Sequence, residues 1–278
     1  MLGSAAVLGI AGSLSIGWSA LSKRRAPDPL DIRCVCKPVQ SARSGFEVLA
    51  DGRINCWIEH QVVRGVTPKM LVWWFKHLEG DMLYDGQRVN RYRVWHPRDH
   101  LSIEYSRRNA DGTIGVGSVI HLIEMFGANP DYLMDVHTEI TKLDEQGFAH
   151  RPRLHGLRLA RMDYEFNAVE SGTRYSNSLT VGAEGFAGRI VNPLIRMFVF
   201  DEARGRAWIK HNIEEVGNFE SFLPQLYAAE VGIESRDETR PNSAPQGTRD
   251  AVFGAREKQK PVSVATRRRV LREELQAV

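Results

Sequence analysis

The chain has 278 residues, 42% of them hydrophobic and 26% charged, with a formal net charge of +3. That is enough apolar material for one domain with a sizeable core, and no basic stripe marks a nucleic-acid surface. Three cysteines, Cys34, Cys36 and Cys56, form an odd and sparse set, which argues against a disulfide framework and for structural thiols in a reducing, cytoplasmic compartment.

Met1 to Ser22 carry no charge and are followed by Lys23-Arg24-Arg25. The length suits a membrane span of roughly 20 residues, but Gly and Ser dilute it and the basic leading region of a secretory signal is missing. It reads either as an anchor that keeps the domain on the cytoplasmic side, with weak membrane association, or as a disordered extension over residues 1–33. The globular domain is expected over residues 34–234.

The first segment with chemistry is Tyr92-Arg-Val-Trp-His-Pro-Arg-Asp-His100. An extended chain would point His96 and His100 the same way, together with Tyr92 and Val94. Pro97 breaks that regularity, because proline lacks the ladder donor. One histidine is therefore expected to point inward while the other serves a turn, and Asp99 is placed to orient a histidine. Next, Gly115 to Phe126 is a run of strand formers after the turn-like Asn109-Ala-Asp-Gly112. Alternation puts Glu124 on one face with Ile120, Leu122 and Phe126. A glutamate there needs a partner, or else a raised pKa, unless the strand is an edge and the side chain reaches solvent.

A long amphipathic helix is predicted from about Pro193, suited to a first turn, to about Tyr227. Leu194, Met197, Phe198, Trp208, Phe219, Phe222 and Leu226 recur at three- and four-residue steps, and His211 and Glu215 fall inside that stripe. Such a pair is either a surface i,i+4 contact or half of a buried metal site. Gly217 implies a bend or a close neighbour. From Ser235 the chain turns polar, with 10 Lys/Arg against 6 Asp/Glu up to Val278, so the basic character belongs to a solvated tail over 235–278. No phosphate-cradling glycine loop, serine elbow or internal repeat occurs.

Together these segments resemble the 2,4-diacetylphloroglucinol hydrolase family, zinc-dependent enzymes that cleave the carbon-carbon bond between an aromatic ring and an acyl group. The resemblance rests on Gly65 to Phe75 (GVTPKMLVWWF), the Trp-His-Pro-Arg-Asp-His motif, the strand holding Glu124, and Trp208 to Gly217 continuing to Pro224. It implies an α+β helix-grip fold of the Bet v 1/START kind, a curved antiparallel sheet wrapped around a long C-terminal helix with a cavity between them. Zn²⁺ held by His100, Glu124, His211 and Glu215 is implied as well. Tyr92 and His155 become the catalytic pair, and Tyr175 and His96 the substrate-side residues.

The implied reaction is hydrolysis of an acylphenol, either 2,4-diacetylphloroglucinol-like or phloretin-like. Zinc activates water and polarises the acyl oxygen, while ring hydroxyls let the ring carbon take a proton through a keto tautomer. A non-catalytic carrier of a phenolic or apolar ligand needs the same cavity without the metal, and a polyketide cyclase or dehydratase would release no free acid. Oligomeric state, a homodimer included, is left open by one sequence.

Overall fold

Apolar residues at every second position build most of the molecule. In the computed structural model, which describes residues 28, 30–32, 34–153 and 159–238, these alternating runs become eleven strands. They are β1 (Arg43–Val48), β2 (Ile54–Glu59), β3 (Val63–Arg64), β4 (Asp81–Tyr84), β5 (Gln87–Asn90), β6 (His100–Arg107), β7 (Val119–Met125), β8 (Leu133–Asp144), β9 (Gly147–Arg153), β10 (Ala160–Val169) and β11 (Gly172–Val181). All but β4 and β5, which pair as a separate hairpin, join one antiparallel sheet in the order β1-β2-β11-β10-β9-β8-β7-β6, with β3 pairing β11. Along β11 the side chains of Thr173, Tyr175, Asn177, Leu179 and Val181 are buried while their neighbours are not, the period of two expected of a sheet with one covered face.

Four helices accompany it: α1 (Pro68–Lys76), α2 (Arg91–Trp95), α3 (Gly185–Phe198) and α4 (Glu202–Glu238). Thr67 caps α1 by accepting from the Met70 amide, with Pro68 in the first turn. The inner face of α4 carries Trp208, His211, Glu215, Phe219, Phe222 and Leu226, all buried, so the predicted stripe covers the concave sheet from Trp208 onward. The fold is the α+β helix-grip arrangement. The chain divides by its contacts between Ile233 and Glu234. Among the described residues, no helix is long and apolar enough to cross a membrane. The expectations for residues 1–22 and for the tail past Glu238 lie outside the described residues, as does His155.

Three expectations are corrected. The single helix from Pro193 is two helices: Pro193 sits inside α3, and Asp201 caps α4 by accepting from the Arg204 amide at 2.8 Å. Met197 and Phe198 are then 68% and 59% exposed, because the break turns them out of the stripe. Second, Tyr92 to Trp95 is a helical turn rather than an extended segment, since Asn90 caps it through the Arg93 amide. Third, Cys34 and Cys36 are joined in a disulfide, with Cys56 free and buried. Residues two apart on an extended chain present their side chains to one side; cysteine usage therefore gives no argument for a reducing compartment.

Glycines let the helix approach its neighbours closely. At Gly217 an added Cβ would lie 2.6 Å from the Lys37 side chain, which crosses the helix there and pairs with Glu220. At Gly205 a Cβ would stand 2.6 Å from the Phe46 ring and 3.2 Å from Cys56 Sγ. Gly205→Ala should therefore lower stability although alanine is the better helix former. Overpacking costs about 1–3 kcal/mol against a propensity gain of about 1 kcal/mol, and a urea titration giving a lower midpoint checks it.

Candidate metal centre and cavity

Sheet register and helical period bring the polar groups together. His100 on β6 lies directly across from Glu124 on β7, and α4 lowers His211 and Glu215, one turn apart, onto them. His100 Nε2 is 3.2 Å from Glu215 Oε2 and 3.6 Å from Glu124 Oε1. His211 Nε2 is 3.6 Å from Glu215 Oε2 and 3.9 Å from Glu124 Oε2. His100, His211 and Glu215 are 0%, 1% and 3% exposed, and these three converge closely enough to hold a metal ion.

The outer edges of both imidazoles are fixed. His100 Nδ1 meets the Tyr92 carbonyl at 2.8 Å and so must donate its proton there, which leaves Nε2 as a bare lone pair. His211 Nδ1 meets Asp99 Oδ2 at 3.1 Å and donates there, so that a second proton or a metal ion can enter only at Nε2. Both Nε2 atoms are buried and have no hydrogen-bond partner. Tyr92 stacks on His100 with ring centroids 3.8 Å apart and donates its hydroxyl to Glu124. Asn218 on α4 ties this arrangement together, donating to the Val94 and Trp95 carbonyls and accepting from the Val35 amide.

Burial pushes the Glu215 carboxyl well up, with Glu124 adding to it, and burial likewise raises Glu124. Burial also opposes charge on His211, yet the Asp99 hydrogen bond and the Glu215 and Glu124 carboxylates outweigh it and raise its pKa to about 9. His100 is driven well below its ordinary value by burial and by the neighbouring His211. A single proton on His211 thus supplies the positive charge that the carboxylates require.

The cluster lies in one wall of a cavity between sheet and helix. The space open to water centres there is ≈ 80 Å³, room for a few waters. Tyr92, Glu124, His211, Glu215, His150 and Tyr164 supply its polar atoms, and Phe75, Ile120, Leu122, Phe148, Leu179 and Trp208 much of its apolar surface.

Two expected substrate-side residues stand away from those walls. His96 follows α2, is buried, and turns its ring toward Glu214 (3.3 Å) and onto the His211 ring (4.7 Å, 17°). Tyr175 packs edge-on against Tyr164 at 6.0 Å, its hydroxyl buried without a partner. Conversely, His150 and Tyr164, which no sequence motif singles out, line the cavity. The His150 Nε2 and Tyr164 hydroxyl are 3.4 Å apart, Thr138 Oγ1 is 2.6 Å from His150 Nδ1, and burial lowers the His150 pKa to about 3. Alternation was the available signal, since Phe148, His150 and Pro152 share a face, as do Met162, Tyr164 and Phe166.

A concave antiparallel sheet gripping one long helix, with buried His and Glu side chains converging beside an apolar cavity, defines a helix-grip protein with a candidate metal centre. Residues 31–150 match the family model described as the DAPG hydrolase PhiG domain, less than half of the chain. The matched segment contains Tyr92, His100 and Glu124 and stops short of His211 and Glu215. That match supports a hydrolase acting on a small-molecule substrate. No curated protein matches the chain significantly. Solved structures similar to it include protein Ms6760 from Mycobacterium smegmatis (10% identity, 66% of this chain and 97% of that one, TM-score 0.40). A START superfamily protein from Mycobacterium smegmatis (11%, 62% and 98%, 0.36) and Ara h 8.0201 (17%, 57% and 97%, 0.31) are others. The fold assignment stands on the strand order and the seated helix, not on these scores.

Proposed function

We propose that the protein is a zinc-dependent hydrolase that cleaves the carbon-carbon bond between an acyl group and a polyhydroxylated aromatic ring. One observation carries the reading: two buried imidazole Nε2 atoms without hydrogen-bond partners face two carboxylates at the wall of an apolar cavity. Two neutral imidazoles and two carboxylates match the charge and donor preference of Zn²⁺. His100, Glu124, His211 and Glu215 would hold it. When bound, zinc polarises the acyl oxygen and lowers the pKa of water toward roughly 7.

The remaining work falls to the chain's own groups. Water adds across the scissile bond, its oxygen going to the acyl carbon and one hydrogen to the ring carbon. Apolar side chains such as Ile120, Leu122 and Leu179 exclude bulk water and hold the ring. Tyr92, anchored to Glu124, fixes that carboxylate and presents its phenol ring to the cavity. On the facing strands, neutral His150 with the Tyr164 hydroxyl can accept a phenol proton and return one to the ring carbon. His155, given that role by the resemblance, lies outside the described residues. Tyr175 supports Tyr164 from behind in this reading.

Zinc-loaded protein incubated with acylphloroglucinols and dihydrochalcones should release a free carboxylic acid, and chelator should stop it. Loading should also release roughly one to two protons per zinc near pH 7, since ligands must deprotonate to bind. The sign follows from the raised pKa values: protons held on His211 and Glu215 in the metal-free site leave as zinc enters, so affinity rises with pH toward about 9. A protein with no stoichiometric zinc and no chelator effect would instead be a carrier.

A further inference from the structure

Resting on the zinc reading above, we propose that Asp99 is a positioning residue that fixes the tautomer and aim of His211 for the metal. Asp99 is completely buried, and both of its oxygens are fully engaged. Oδ1 accepts from Arg98 Nε at 2.8 Å and from the Ala128 amide at 3.1 Å; Oδ2 accepts from the Gly127 amide at 2.7 Å and from His211 Nδ1 at 3.1 Å. Gly127 and Ala128 both have positive φ, 68° and 54°, and this left-handed pair turns two successive amides onto one carboxylate, an anion-binding nest. The turn that follows β7 is thus shaped around Asp99, and Asp99 in turn is fixed in place before it meets His211.

A carboxylate so held can only accept. His211 must therefore keep a proton on Nδ1, and Nε2, on the side of Glu124 and Glu215, is the nitrogen whose lone pair a metal ion takes. The ring has little freedom to turn away, with His96 stacked at 4.7 Å and Phe126 at 5.0 Å.

His96, Asp99 and His211 also lie close enough together to suggest a second ion site, but the hydrogen bonds argue otherwise. His96 Nδ1 accepts the Asp99 amide at 3.2 Å, so its proton is on Nε2, directed to Glu214 at 3.3 Å. No lone pair remains on His96, none on Asp99, and His211 Nδ1 is a donor. The cluster is a hydrogen-bonded support for one metal centre.

The test is zinc affinity of Asp99→Asn measured by competition with a chromophoric chelator, beside the melting of both metal-free proteins. An affinity loss of about 10–100-fold with unchanged metal-free melting is expected. Equal affinities would overturn the inference while leaving the zinc reading intact, and wild-type protein that binds no zinc would remove both. A parallel fall in metal-free melting would reduce Asp99 to a structural role. Should the variant fail to fold, the ¹⁵N pattern of His211 in the zinc-loaded wild type decides: protonated Nδ1 upholds the assignment, and protonated Nε2 defeats it.

Discussion

On the proposed zinc reading, changing His211 to alanine should remove stoichiometric zinc and lower kcat/KM by at least about two orders of magnitude, because metal polarisation supplies several kcal/mol and each 1.4 kcal/mol or so is tenfold. The fold should survive. His211 contributes no large apolar surface, and α4 keeps Trp208, Phe219, Phe222 and Leu223 buried against the sheet, each such side chain contributing about 1.5–3 kcal/mol. Asp99 retains three of its four donors. With the cationic partner gone, Glu215 stays protonated in its buried position, which spares the fold the cost of an unpaired charge. Metal analysis after gel filtration, far-UV circular dichroism and acid release from an acylphloroglucinol together check this. Full zinc content with wild-type turnover would end the metal reading.

Much of that centre is legible in the sequence because two simple periods place its members. The 3.6-residue repeat puts His211 and Glu215 in one stripe with Trp208 and Phe219, and the two-residue repeat puts Glu124 beside Ile120 and Leu122; both faces line the cavity. Period fails where a helix breaks without losing its apolar character. Leu194, Met197 and Phe198 continue the stripe numerically, yet Asp201 restarts the helix behind them. At that restart the aspartate ahead of Glu202-Ala-Arg, not the apolar spacing, sets the helix start.

Between Tyr92 and His100 it is Asn90, not Pro97, that sets the local structure. The cap at Asn90 makes a helical turn that carries Tyr92, and its carbonyl then holds His100 Nδ1. The strand order lies beyond local signals altogether: β2 pairs with β11, more than a hundred residues away, and only that closure seats α4 over the sheet. His150 and Tyr164 belong to the same long-range geometry. Each lies on an apolar alternation, and neither has a near neighbour in sequence that marks it as polar chemistry.

His150→Gln should lower kcat by about 10² to 10⁴ while zinc content stays at the wild-type level, since general acid-base transfer contributes on that order. The two walls of the cavity do different work. In the proposed reaction the wall with Glu124, His211 and Glu215 would face the acyl group, and the β9 and β10 wall would offer His150 and Tyr164 to the phenols. An aryl carbanion is too basic to leave, so the ring carbon must be protonated as the bond breaks, and the proton has to come from a group that can both take and give one. Burial holds His150 neutral, its pKa lowered to about 3; the neutral ring keeps one N–H and offers one lone pair, and a phenolate formed beside it would raise its affinity for a proton. Glutamine keeps a hydrogen-bonding arm toward Thr138 but cannot carry a proton, and therefore KM should change little while kcat falls. Tyr164→Phe, which removes only the hydroxyl 3.4 Å from Nε2, should show the same split with a smaller loss. Unchanged kcat in His150→Gln, with zinc retained, would take the proton transfer away from this wall and return it to His155.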